Sequence, residues 1–170
     1  MHYLQYFYMR FILGLLLAIS IGLTSCTNND HEVVVNKEFT NEEWARFDYL
    51  QGEFIVKDAP EKYDVVMEVV VTDVFPNIYK SYQDKGVLSV NMTISNPDGS
   101  GKRSRDYNFK LKDKDVNWKS EKINGYYTFK LPIISEMTFT EEGAYRFKIE
   151  NKYTKDPLYG IKSLTIKCIN

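Results

Sequence analysis

Apolar residues recur at every second position in one segment after another of this 170-residue chain. Tyr63, Val65, Met67, Val69 and Val71 alternate with Asp64, Val66, Glu68 and Val70. Leu88, Val90, Met92 and Ile94 alternate with Ser89, Asn91 and Thr93. A period of two sends successive side chains to opposite faces of a strand, so both segments are predicted as strands with one buried face. One pattern occurs three times, as Tyr107-Asn108-Phe109-Lys110-Leu111, Tyr127-Thr128-Phe129-Lys130-Leu131 and Tyr145-Arg146-Phe147-Lys148-Ile149. The flanks of the three copies differ, which argues against a structural repeat and for one strand solution reached three times. In each copy the first, third and fifth residues face the core and Lys faces water.

Turn signals separate these segments. Asn96-Pro97-Asp98-Gly99-Ser100-Gly101 combines a preset Pro angle with Asp-Gly at the positive-angle position, and predicts a hairpin between the strand ending at Ile94 and the one carrying Tyr107. A charged loop from Lys112 to Asp115 leads to Trp118, Pro132 is expected to break the strand after Leu131, and a last strand is expected over Ser163 to Ile169. Helical spacing is confined to Asn41 to Phe47, where Asn41 is placed to cap a single turn and Glu42 and Glu43 suit its positive end. Many short strands between turns predict an all-β fold, an antiparallel β-sandwich of jelly-roll or immunoglobulin-like type. Gly143 followed by Tyr145 at a strand entrance resembles the tyrosine corner of sandwich folds.

The N-terminus reads as a lipoprotein signal. Phe11 to Leu23 is apolar but shorter than the roughly 20 residues that span a bilayer, and it suits the apolar segment of a secretory signal. It ends in Leu23-Thr24-Ser25-Cys26, a small residue before Cys, as in bacterial lipoprotein processing. Residues 1–25 are therefore expected to be removed, with Met9 as an alternative start, and Cys26 to carry the lipid. Residues 26–38 are then a lipidated tether, which a short strand at Val33 to Val35 could end, and residues 39–170 are the β-sandwich domain. The lipid, palmitate among its acyl chains, would be the membrane partner and would hold the domain at the cell envelope, at the outer membrane.

Composition narrows the chemistry. Removing Arg10 with the signal takes the net charge from −1 to about −2, which offers nothing to nucleic acid. With Cys26 lipidated, Cys168 is alone, in step with Leu164 and Ile166 on an apolar face, and reads as a buried inert thiol. His31 is the one histidine of the processed chain, so no metal site, no cofactor and no catalytic group is assigned. Trp44 and Trp118 sit beside apolar neighbours at element edges. Each is read as closing one end of the core, its ring N–H bonded to a loop carbonyl, in preference to stacking on a sugar.

From Phe39 to Ile169 the order of features resembles the gliding-motility lipoprotein H family (GldH-like). The residues that carry the likeness are Phe39-Thr40-Asn41-Glu42-Glu43-Trp44, Phe54, Tyr63, Phe75-Pro76-Asn77, Asn96-Pro97-Asp98-Gly99 and Leu111 with Trp118. Phe139, Gly143, Tyr145, Phe147, Ile149 and Glu150 continue it, and Leu158-x-Gly160-Ile161 precedes the last strand. The chain departs from that pattern by inserting Tyr79 to Gly86 and by carrying Tyr153-Thr154-Lys155 where a Met-Arg pair is expected.

The resemblance implies a non-enzymatic envelope lipoprotein, a structural or assembly component linked to surface motility and protein secretion, with other envelope proteins as partners. The alternative is a surface glycan-binding lipoprotein, for which Trp118, Tyr126, Tyr79 and Tyr82 are the stacking candidates.

Overall fold

Strand-forming sequence becomes eleven strands in the computed structural model, which describes residues 31–77 and 86–170. They are β1 (His31–Glu38), β2 (Glu43–Trp44), β3 (Leu50–Val56), β4 (Glu61–Val71), β5 (Val87–Ser95), β6 (Lys102–Lys110), β7 (Lys122–Ile123), β8 (Tyr126–Phe139), β9 (Gly143–Asn151), β10 (Leu158–Tyr159) and β11 (Ile161–Ile169). The expected signal, the lipid site Cys26, the start of the tether, and Tyr79 and Tyr82 lie outside the described residues.

The fold is all-β, and every strand pairing is antiparallel. One sheet has the order β1-β11-β4-β8-β7, a second β3-β9-β5-β6, and β10 pairs with β2. Alternation decides what each sheet buries. Val65, Met67, Val69 and Val71 of β4 and Leu88, Val90, Met92 and Ile94 of β5 join one hydrophobic core with residues of β9 and β11. Phe54, Tyr63, Phe139 and Tyr145 pack ring against ring across it, with centroids 4.7 to 5.9 Å apart. The outward Glu68 accepts from Lys167 at 2.8 Å, and that bond, with the Lys130 charge beside it, holds its carboxyl below the ordinary range.

Several expectations hold. The hairpin β5–β6 closes through Asn96 and Gly101, with Gly99 at a φ of 76°. The Tyr145 hydroxyl accepts from the Glu141 N–H four residues upstream, at 3.1 Å, as in a tyrosine corner. Cys168 is buried, and burial pushes its thiol up to about 12.

The structure corrects three others. Residues 31–38 form a full strand paired along β11, so sheet begins within the expected tether. A bulge explains why this was hidden: the register shifts between Val33 and Val35, and the consecutive Val34 and Val35 both turn inward while Val33 stays 48% exposed. Pro132 does not break its strand. It sits where the β4–β8 register shifts, on a stretch of β8 flanked by β4 alone among the described residues, so its missing N–H costs no ladder bond on the other side. The single turn is a 3-10 turn, Thr40–Glu42, with Asn41 inside it at a φ of 55° and Phe39 at the capping position, which makes no side-chain capping bond.

The registers also define two ends. β1 starts with His31 opposite Ile169, which pairs in turn with Asp64 of β4. It finishes at Glu38 opposite Ser163, and the chain then passes through the 3-10 turn into β2, which pairs with β10 among the turns of that end. His31 therefore lies at the end of the sheet opposite to those turns.

Candidate functional site

The turns at that far end enclose a hollow, and Trp44 is its foundation. Trp44 is fully buried against Phe39, and its indole N–H donates to the Asp48 carbonyl at 2.7 Å, tying down the loop of residues 45–49. The Trp44 carbonyl accepts from the buried Asn151 side chain at 3.0 Å, and Asn151 in turn accepts from the Tyr153 N–H at 2.8 Å. The indole bond is the one expected of this residue.

Arg46 locks the two loops together. Its guanidinium donates to the carbonyls of Tyr153 and Thr154 at 3.0 and 2.6 Å, and its own N–H donates to the Asp156 carboxylate at 2.9 Å. Between the loops lies a hollow of about 420 Å³, lined by Arg46, Phe47, Tyr49, Glu150, Asn151, Lys152 and the Tyr153-Thr154 turn.

Two aromatic rings stand at its lip. Phe47 is 74% exposed and Tyr49 40%. The Lys148 ammonium sits 4.0 Å from the Tyr49 ring centroid and 2.7 Å from Glu150, whose carboxylate raises the lysine above its ordinary range. Aromatic rings on a hydrogen-bonded frame, with charges already paired, make a surface for recognition.

Of the stacking candidates read from the sequence, Trp118 and Tyr126 lie elsewhere, and Tyr79 and Tyr82 fall outside the described residues. Trp118 is half-buried against the core, stacked on Tyr127 at 4.3 Å and 18°, with the Lys112 ammonium 4.4 Å from its ring centroid. Tyr127 is held in turn, its hydroxyl donating to Asp73 at 3.0 Å, and Asp73 also receives Lys122. Tyr126 is the neighbour of Tyr127 on β8, so its side chain takes the opposite face and is not stacked with Trp118. Arg46, Phe47, Tyr49 and Asn151 were missed as site residues. The one available signal was Phe47-Asp48-Tyr49, two aromatics in a polar stretch that follows no alternation.

Among the described residues no group of three or more His, Cys, Asp and Glu side chains is placed to hold a metal ion, and no helix is long and apolar enough to cross a membrane. Asp113 is held below the ordinary carboxylate range by backbone donors, chiefly Asn117 and also Asp115, as the organiser of an exposed turn.

The family model described as GldH lipoprotein matches residues 33–168. No curated protein matches the chain. Among solved structures, an uncharacterized protein from Listeria monocytogenes is 14% identical, with a TM-score of 0.30; the similarity covers 82% of this chain and 11% of that one.

Proposed function

The chain belongs to the GldH lipoprotein family, and on that premise we propose that it is a non-enzymatic assembly component of the bacterial envelope. It is anchored through lipid on Cys26 after removal of residues 1–25, at the outer membrane, and serves surface motility and protein secretion by holding partner proteins. The two large sheets are taken to close as a sandwich that acts as a rigid carrier. The observation that carries this reading is the family match over residues 33–168, which spans both sheets.

Geometry adds an orientation. If the lipid is on Cys26, the five residues from there to His31 reach at most about 17 Å, so the His31 end faces the bilayer. The turns around Trp44 and Asn151 then point away from it, toward other envelope components.

The test has two parts. Metabolic labelling with a clickable palmitate analogue should mark the wild-type protein, and Cys26→Ala should abolish both the label and the membrane fraction. Pull-down of the anchored protein in mild detergent should then retrieve a defined set of envelope partners. A labelled, membrane-bound Cys26→Ala variant defeats the anchor, and a native pull-down that retrieves no defined partner defeats the assembly role.

A further inference from the structure

The hollow does not end at its rim. Glu150, which lines it, lies directly opposite Asn91 on β5, and Asn91 lies opposite Asp106 on β6. Lys152, also in the lining, donates its N–H to the Ser89 carbonyl at 3.0 Å, and Ser89 lies opposite Asn108. The surface therefore continues from the hollow across β9, β5 and β6, a width of about 10 Å at ordinary strand spacing.

This continuation is made of short polar side chains bound to one another. The Asn91 amide donates to Asp106 at 2.7 Å, the Ser104 hydroxyl donates to Asn91 at 3.0 Å, and the Ser89 hydroxyl donates to Asn108 at 2.6 Å. Thr93 joins them, its hydroxyl donating to Asn91 at 3.2 Å. Such groups are held in place with little rotamer entropy left to lose, and each keeps lone pairs or protons for a ligand. A face meant only to be wetted is commonly built of longer Lys and Glu, as the outward Glu68, Lys130 and Lys167 of the other sheet are.

We propose that the hollow and this adjoining face bind a neutral oligosaccharide, with Phe47 and Tyr49 as the platform for a sugar ring and the Asn91, Asp106 and Glu150 groups as hydrogen-bond partners for its hydroxyls. Charge points the same way. Arg46 is spent on two carbonyls and Lys148 on Glu150 and the Tyr49 ring, so these two cations offer little to a strongly acidic polymer. A protein partner would call for an apolar, charge-depleted centre. Here two rings stand in a field of amides, hydroxyls and carboxylates. The proposal requires no anchor and no secretion partner, because every residue in it belongs to the folded sheet or its loops.

The experiment is calorimetric titration of the full-length protein, in a detergent without a sugar headgroup, with cellohexaose, chitohexaose and laminarihexaose. At least one should bind, and Phe47→Ala should weaken that binding at least tenfold with an unchanged unfolding midpoint, since the ring is already largely in water. Asn91→Ala should weaken it as well, and Trp118→Ala should leave it unchanged. No binding to any of the three, binding that survives Phe47→Ala, or binding that is lost with Trp118 instead would overturn the proposal.

Discussion

Gly52 of β3 lies hard against β1 of the other large sheet, and this turns one methyl group into a test of how the two sheets meet. Val34 is the bulge residue of β1, without a partner in the β11 ladder, and its carbonyl leans toward β3. A Cβ built on Gly52 would lie 1.9 Å from that oxygen, 2.8 Å from its carbon and 2.9 Å from a Val35 methyl. Ordinary contact begins at 3.4 Å, so Gly52→Ala must open the seam by about 1.5 Å. A gap of about 1 Å already forfeits up to half the contact energy of the groups it separates, so half is a lower bound here. Val34 and Val35 are both buried there, and each contributes about 1.5–3 kcal/mol when fully buried. Losing half from both predicts a destabilisation of about 1.5–3 kcal/mol, the usual cost of overpacking. Urea unfolding of the full-length protein, followed through the buried Trp44, measures it. Val35→Ala should not restore wild-type stability, because the worst contact is with main chain; the two sites touch, so their costs are expected to couple rather than add. A Gly52→Ala protein within 0.5 kcal/mol of wild type, or one rescued by Val35→Ala, would refute the seam as described.

Two further outcomes follow from burial. Phe147→Ala should cost about 3–5 kcal/mol, Phe129→Ala less and Phe109→Ala least, in the order of their exposure, and equal costs in the same unfolding assay would contradict the burial pattern. Stability should also fall in alkali. Burial raises the Cys168 thiol from 9.0 to about 12, and a bond to Glu61, then burial, raises the Tyr63 hydroxyl from 10.0 to about 12. The unfolded chain ionises first, so this contribution is complete below pH 9 and is lost as pH rises toward 12. Cys168→Ala should flatten the start of that decline and Tyr63→Phe its later part; a decline that neither change alters would count against both assignments.

Where the buried face keeps strict alternation along the strand, the sequence was enough: β4, β5, β9 and β11 can be read from it even where their ladders shift register. Where the shift falls on the strand's own pattern, it was illegible for a physical reason. The bulge at Val34 puts two consecutive valines inward, and the register shift at Pro132 removes the need for the N–H whose absence signalled a break. The hollow was hidden more deeply. Its lip comes from residues 46–49 and its floor from residues 150–154, joined by hydrogen bonds between residues 107 to 110 positions apart. No local pattern encodes such bonds. They exist because β2 pairs with β10 and brings Arg46 within reach of two carbonyls.

The three Tyr-x-Phe-Lys copies separate what a strand pattern encodes from what its place in a sheet decides. All three keep Tyr and Phe on the inner face, yet Tyr145, Phe147 and Ile149 are buried, Tyr127 and Leu131 are half-buried around a buried Phe129, and Tyr107 and Phe109 are both half-buried. The order follows the flanking strands. Among the described residues β9 lies between β3 and β5, β8 has β4 along its length but β7 at one end only, and β6 is an edge. On the edge the same two rings lie parallel with centroids 6.2 Å apart, the Arg105 guanidinium lies 5.7 Å from the Tyr107 ring, and Lys102, Arg103 and Lys110 share the strand. Cations along an exposed strand discourage pairing with another sheet. A pattern that builds core in β9 thus covers an edge in β6, and the difference lies in the neighbours each strand has.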